Sequence, residues 1–280
     1  MRLALVANVK SGRGLDPAWL VSLLGDAEVF GLDELRRIAD VDRIVVSGGD
    51  GTIAPVAERA GELGVPLAVI PGGTANDFAR ANGIPPDPRA AAELATSGSA
   101  LRALELGRLS TGRPFVNVAS AGLSSIAGRR AQPLKSRFGP LAYGMGAVRA
   151  AATGRPLGVI VRVDGEAVFD GDAWQLMVAC TGAFGGGSGI GTADATDGEL
   201  DVVIVPAGSR ATLARRAWGL RTQTIERQRA VPHFEGRVVE VALPVGAELN
   251  VDGEFVDGGL DRVTARAGAF ELVVGTNFEH

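Results

Sequence analysis

Three short stretches of this chain place glycines between an apolar run and a helical pattern, the arrangement that lets backbone N–H groups close on a phosphate. Ser47-Gly48-Gly49-Asp50-Gly51-Thr52 follows Ile44-Val45-Val46 and is read as opening a helix at Ile53. Pro71-Gly72-Gly73-Thr74-Ala75-Asn76-Asp77 follows Leu67–Ile70, and Asn8-Val9-Lys10-Ser11-Gly12-Arg13-Gly14 follows Arg2–Ala7. An aspartate in such a loop repels a bare phosphate. Asp50 therefore reads as a magnesium partner acting through water, or as a group orienting the reacting centre. The competing reading is an ordinary Asp-Gly turn. No Walker lysine is present.

In the second loop Thr74 suits a phosphate oxygen and Asn76 a ribose or phosphate group. The alternative is that Asn76 or Asp77 only caps the following helix; Asp77 is also carried as a candidate metal-binding carboxylate. Lys10 and Arg13 in the first loop are suited to neutralising phosphate, or are plain solvated charge. The tetrapeptide Val-Asp-Gly-Glu occurs twice, at Val163–Glu166 and Val251–Glu254. Asp-Gly between alternating residues is a hairpin turn signal, and local sequence does not separate the two copies.

These loops must be positioned by the elements around them. Strands at Arg2–Ala7, Arg43–Ser47 and Leu67–Ile70 alternate with helices at Pro17–Leu24, Asp33–Ala39 and Ala54–Leu63, a pattern that predicts βαβ units and a mainly parallel sheet. Loops at the carboxyl ends of successive strands of one sheet line one crevice. From about residue 107 the texture changes to runs at Gly158–Val163, Gln175–Ala179, Leu200–Val205, Arg237–Leu243 and Phe270–Val274, with a helical insertion near Thr212–Gln228. The expected fold is an α/β nucleotide-binding domain with a mainly parallel sheet (residues 1–106) followed by an antiparallel β-sandwich domain (107–280), the C-terminal tail free to return to the first.

Composition narrows the chemistry. The 280 residues carry 32 acidic and 28 basic side chains, a net charge of −4, one cysteine and two histidines. A lone Cys180 excludes an intramolecular disulfide and makes a cysteine zinc site implausible. Two histidines leave proton transfer to carboxylates. The acidic balance and single tyrosine argue against a nucleic-acid partner. No run of about 18 apolar residues is available for a membrane span, so the expected location is cytoplasmic.

The glycine-aspartate loop, the PGGTANDFAR segment and the Asn8–Gly12 loop together resemble the diacylglycerol kinase catalytic-domain family, which includes bacterial lipid kinases and sphingosine kinases. The aspartate loop alone is shared with NAD kinases; PGGTANDFAR separates the lipid kinases from them. The resemblance continues through Phe115-Val116-Asn117, Leu134–Gly139, Gly185–Gly187, Asp197–Asp201 and Val251–Glu254. It implies an ATP- and Mg-dependent kinase acting on a hydroxyl of diacylglycerol or a related lipid.

By that resemblance Asn8, Ser11, Gly12, Gly48, Gly49, Gly51, Thr52, Gly73, Thr74 and Asn76 contact the nucleotide, and Asp50 reaches magnesium through water. Asp252 is the general base and Glu254 lies beside it on the nucleotide or metal side. Arg13, Lys135 and Arg137 bring positive charge to the phosphates or base, and Asp197 belongs to a second, structural cation site. The chain departs from the family pattern at Val9, at Ala54-Pro55 and at Thr196. Pro55 is read as lying in a helix's first turn.

The expected partners are a lipid substrate, the membrane surface as a peripheral contact and, as an option, a second copy of the chain. Gly128–Pro156 has six basic and no acidic residues, and Ser209–Ala230 has six Arg and one Glu with Leu213, Trp218, Leu220 and Ile225 interspersed. The second segment is read either as an interfacial amphipathic helix or as a solvated helix covering the β domain. Two other functions stay open: an NAD-kinase-like enzyme with a soluble acceptor, and a nucleotide-binding regulatory module without catalysis.

Overall fold

The computed structural model describes residues 1–12, 14–123, 154–228 and 230–276. Arg13, Lys135, Arg137 and most of the basic 128–156 stretch lie outside the described residues.

The amino-terminal strands are β1 (Leu3–Ala7), β2 (Ala27–Phe30), β3 (Arg43–Gly48) and β4 (Leu67–Pro71). They pair in parallel in the order β2-β1-β3-β4. β3 and β4 are buried along their whole length, which is why they read as continuous apolar runs rather than alternating ones. β2, half exposed at the edge, carries no such signal. The helices are α1 (Pro17–Leu24), α2 (Asp50–Leu63), α3 (Asp77–Ala81) and α4 (Pro88–Ser97). Asp16 and Asp87 cap α1 and α4 ahead of a proline at the first helical position. The expected helix at Asp33–Ala39 is a 3₁₀ turn, Leu32–Arg37.

Helix α2 starts three residues earlier than its sequence suggests, at Asp50 with Gly49 as cap. Pro55 therefore sits in the second turn, not the first, and its missing N–H deprives the Gly51 carbonyl of its helical donor.

The rest of the sheet comprises β5 (Ala100–Leu109), β6 (Pro114–Phe115), β7 (Val118–Gly122), β8 (Leu157–Val163), β9 (Glu166–Ala179), β12 (Leu200–Pro206), β13 (His233–Gly236), β14 (Val238–Ala242), β15 (Leu249–Val251), β16 (Glu254–Val256) and β17 (Arg262–Val274); β10 (Ala183–Phe184) and β11 (Ser188–Gly189) form a separate two-stranded antiparallel sheet, and α5 (Arg210–Arg221) follows β12. These strands pair antiparallel in a sandwich-like arrangement. The longest path runs β16-β15-β7-β9-β8-β14-β17-β4-β3-β1-β2.

β17 joins the two parts. Its first half pairs antiparallel with β14 and β5; an irregularity between Arg266 and Phe270 re-aims it, and Leu272 then lies parallel to Leu67 of β4. One apolar core runs from Leu5, Val45 and Ile70 through Leu106 and Phe270 to Val178 and Val251. A smaller core of Trp174, Met177, Val203, Leu213 and Ile225 lies under α5.

Helix α2 crosses β17 at Gly61, where a Cβ would sit 1.9 Å from the Ala269 carbonyl oxygen. Gly61→Ala is expected to cost about 2 kcal/mol through this overlap, despite the better helix propensity of alanine. A lowered urea midpoint at unchanged slope is the readout.

Candidate active site

The three glycine loops meet at the carboxyl ends of β1, β3 and β4. The Asn8 N–H donates to the Ser47 carbonyl at 2.9 Å, and the Gly72 N–H to the Gly48 carbonyl at 2.9 Å. Asn8 Nδ2 donates to Thr52 Oγ1 at 3.0 Å, tying the first loop to the start of α2. The backbones touch so closely that a Cβ on Gly73 would fall 2.5 Å from Gly49 Cα, and one on Gly12 2.5 Å from the Gly73 carbonyl carbon. Asn76 adopts a left-handed conformation, φ 50°. Its side chain accepts from the Gly73 N–H at 2.8 Å and donates to the Gly73 carbonyl at 3.1 Å, locking the second loop. Ser11 Oγ turns back to the Asn8 carbonyl, and Thr74 stands exposed on its loop.

Asp50, at the first position of α2, faces α3 and the strand edge of the second half. Its Oδ1 accepts from the Phe78 N–H at 2.8 Å and from Asn117 Nδ2 at 3.2 Å. Burial raises its pKa, the charge of Asp77 adds to the rise, and the Phe78 and Asn117 hydrogen bonds oppose it. Phe78 in turn packs its ring against Phe270 of β17, centroids 6.4 Å apart.

The two Val-Asp-Gly-Glu copies fold alike. Each is a two-residue hairpin with the aspartate at φ 49° and a left-handed glycine, joining β8 to β9 and β15 to β16. Each aspartate side chain also accepts backbone N–H groups of a neighbouring segment. Asp164 takes those of Arg237 and Val238 on an exposed rim. Asp252 is buried, and takes Val116 N–H on Oδ2 at 2.9 Å and Asn117 and Val118 N–H on Oδ1 at 2.9 and 3.1 Å. Burial pushes the Asp252 pKa up to about 7, the Asp50 charge adds to this, and the three amides pull against it. What differs between the copies is therefore their surroundings, not their own sequence.

Asn117 is the node that sequence reading passed over as a site residue. Its N–H holds Asp252, its Nδ2 holds Asp50, and its Oδ1 accepts from Thr181 Oγ1 at 2.6 Å. Its signal was its place in the Phe-Val-Asn motif. Glu254 reaches the glycine-aspartate loop: a Cβ on Gly51 would lie 2.5 Å from Glu254 Oε1. Its other oxygen pairs with Arg113 Nη2 at 2.5 Å, a partner that nothing local to Glu254 announces.

Asp77 bridges two elements. Arg80 Nη1 donates to its Oδ1 at 2.6 Å, and the Gly186 and Gly187 N–H groups close on the same carboxylate at 3.0–3.1 Å. Asp197 is not part of this gathering. It keeps company with Asp194, Glu199, Asp201 and Glu105, and accepts from the Glu199 N–H at 2.8 Å.

The residues present fit a magnesium-bound triphosphate. Two carboxylates, Asp252 buried and Asp50 half-buried, each meet another's charge, and among the described residues their hydrogen bonds come from amides, not cations. A divalent cation offsets that cost, and the loop floor is bare backbone.

Glu105, buried behind the site, is raised to about 8, first by burial and then by the charge of Asp197. Between 4.5 and about 8 the folded chain keeps a proton that the unfolded chain has lost, so stability falls as pH rises through that window. Glu105→Gln removes the dependence. In metal-free buffer its Tm relative to wild type is expected to be higher near pH 9 than near pH 5; an equal difference at both would contradict this assignment.

Comparison with known proteins identifies the family and the fold. A model described as the diacylglycerol kinase catalytic domain matches residues 25–109, and one described as the YegS C-terminal NAD kinase beta sandwich-like domain matches residues 117–274. A diacylglycerol kinase of Bacillus subtilis is 33% identical, covering 92% of this chain and 91% of its own length. The crystal structure of a diacylglycerol kinase from Bacillus anthracis superimposes with a TM-score of 0.78 at 21% identity, over 98% of this chain and 97% of that one. An NAD kinase from Archaeoglobus fulgidus in complex with ATP shares the fold more distantly, with a TM-score of 0.53 at 15% identity over 98% and 93% of the two chains. With both halves matched in order, this chain belongs to the diacylglycerol kinase family of lipid kinases.

Proposed function

We propose that the chain transfers the γ-phosphoryl group of ATP, with magnesium, to a hydroxyl of diacylglycerol or a closely related lipid, working as a peripheral protein at the bilayer surface. The observation that carries this reading is the buried Asp252 carboxylate, linked through Asn117 to Asp50 beside the converging glycine loops. Family membership and the ATP complex of the distant NAD kinase neighbour support the choice of nucleotide.

Asn8, Ser11, Gly12, Thr52, Thr74 and Asn76 are assigned to the nucleotide together with the backbone at Gly48, Gly49, Gly51 and Gly73. When bound, magnesium-ATP supplies the electrophilic phosphorus and the cation that screens the phosphates. Asp50, its side chain already oriented by Phe78 and Asn117, is the residue that would hold that cation. Asp252 accepts the proton of the lipid hydroxyl as its oxygen bonds to the γ-phosphorus, and ADP leaves. Oδ1 of Asp252 is taken up by the Asn117 and Val118 N–H groups, while Oδ2 accepts one bond and keeps a lone pair for the incoming proton. Glu254, against Gly51, fixes the loop from the opposite wall.

A general base must be ionised, so kcat/KM for the lipid is expected to rise about tenfold per pH unit up to pH 7 and level above it. Asp252→Asn should lower transfer by at least about a hundredfold while ATP binding by calorimetry stays near wild type. Unchanged turnover would reject the base. Radiolabelled ATP incubated with a total lipid extract identifies the acceptor. Label appearing in NAD in a lipid-free assay would instead favour an NAD-kinase-like enzyme, and ATP binding with transfer to no lipid would favour a regulatory module.

A further inference from the structure

The segment after β12 was a candidate interfacial helix because apolar residues alternate with arginines along it. The structure divides them differently. Leu213 and Ile225 point into the core with Trp174, Met177 and Val203, and Leu220 packs against the same cluster. Arg216 is also inside, its guanidinium donating to the Pro206 and Ala230 carbonyls. These residues fasten α5 to the β sandwich and are not available to a lipid.

The outward face is what remains: Ala211, Ala214, Arg215, Ala217, Trp218 and Arg221, all exposed, with no acidic residue in α5. Trp218 is 69% exposed and is the only aromatic among the exposed large hydrophobic side chains of the described residues. An indole held in water by a helix whose other face is fully used has no folding role to explain it. A tryptophan flanked by arginines on a bed of alanines matches the headgroup zone of a bilayer. There the ring finds an apolar side and a wet one, and guanidinium groups meet phosphate in fork geometry. The chain as a whole is acidic, so attraction to an anionic surface must come from a local patch such as this one.

The face is also continuous with the cleft. The Arg221 Nη1 atom lies 2.8 Å from where a Cβ of Gly187 would stand. The Gly186 and Gly187 N–H groups bind Asp77, whose charge is felt by Asp50. A bilayer touching α5 would thus lie next to the loop that borders the carboxylate cluster.

We propose that the outer face of α5 is the surface by which this chain docks on an anionic phospholipid bilayer, Trp218 entering the headgroup layer and Arg215 and Arg221 pairing with lipid phosphates. The proposal deepens the lipid-kinase reading and rests on it for the relevance of a bilayer.

The test compares wild type with the double variant Trp218→Ala, Arg215→Gln, neither residue belonging to the catalytic or nucleotide site. Vesicles are phosphatidylcholine with or without about one third phosphatidylglycerol. Wild type is expected to co-sediment with the anionic vesicles, less so at high salt, and to have part of its tryptophan emission quenched by brominated lipid. The double variant should bind at least about tenfold more weakly and lose the lipid-dependent quenching. Both should phosphorylate a short-chain diacylglycerol, dispersed as monomers, at the same rate, which also shows that the variant is folded. Equal vesicle binding by the two proteins, or no binding by wild type, overturns the docking surface. Absence of short-chain diacylglycerol phosphorylation by both proteins counts against the kinase reading alone, because sedimentation still judges the surface.

Discussion

The molecule depends on keeping one carboxylate, that of Asp252, out of water and close to another negative charge. Burial and the Asp50 charge oppose its ionisation, and three consecutive backbone amides of residues 116–118 favour it. The balance leaves the group near neutrality, where a base is most useful. That balance requires the sharp β15–β16 turn, the segment entering β7 and the start of α2 to be placed together, and Asn117 hydrogen-bonds to both acids.

The architecture follows from this requirement. β17 belongs to both parts of the sheet, so the half that carries Asp252 is fixed to the half that carries the glycine loops by main-chain pairing as well as by the shared core. Close approaches at Gly61, Gly73, Gly12 and Gly51 draw α2 against β17, the second loop against the aspartate loop, the first loop against the second, and the Glu254 side chain against the aspartate loop. Glycine at these points acts by absence: each side chain omitted leaves room for a neighbour, which is the Glu254 side chain at Gly51 and backbone at the others. The Asp77 bridge to Gly186 and Gly187 closes the cleft from a further side.

Much of this was legible in the residues. β1, β3 and β4 announced themselves because strands buried on both faces are uninterrupted apolar runs, and α1 because Asp16-Pro17 is a strong start signal. β2 was silent because a short, half-exposed edge strand has little pattern to show. The start of α2 was misplaced because Gly-Asp-Gly reads as a turn, yet its backbone is already helical at Asp50. The apolar residues of α5 were visible but their direction was not, since the burial of Leu213, Leu220 and Ile225 depends on strands distant in sequence. The pairing of Asp252 with residues 116–118 spans about 135 positions. No local rule reaches that far, and the family order of motifs, not the turn chemistry, distinguished Asp252 from Asp164.

The central claim is that the three glycine loops hold one triphosphate facing Asp252. A crystal structure with magnesium and a non-hydrolysable ATP analogue tests it most directly. The account predicts phosphates lying against the backbone of Gly12, Gly48–Gly51 and Gly73, a cation on the Asp50 side, and the terminal phosphate open toward Asp252. A nucleotide bound elsewhere, or one whose terminal phosphate points away from Asp252, would contradict it.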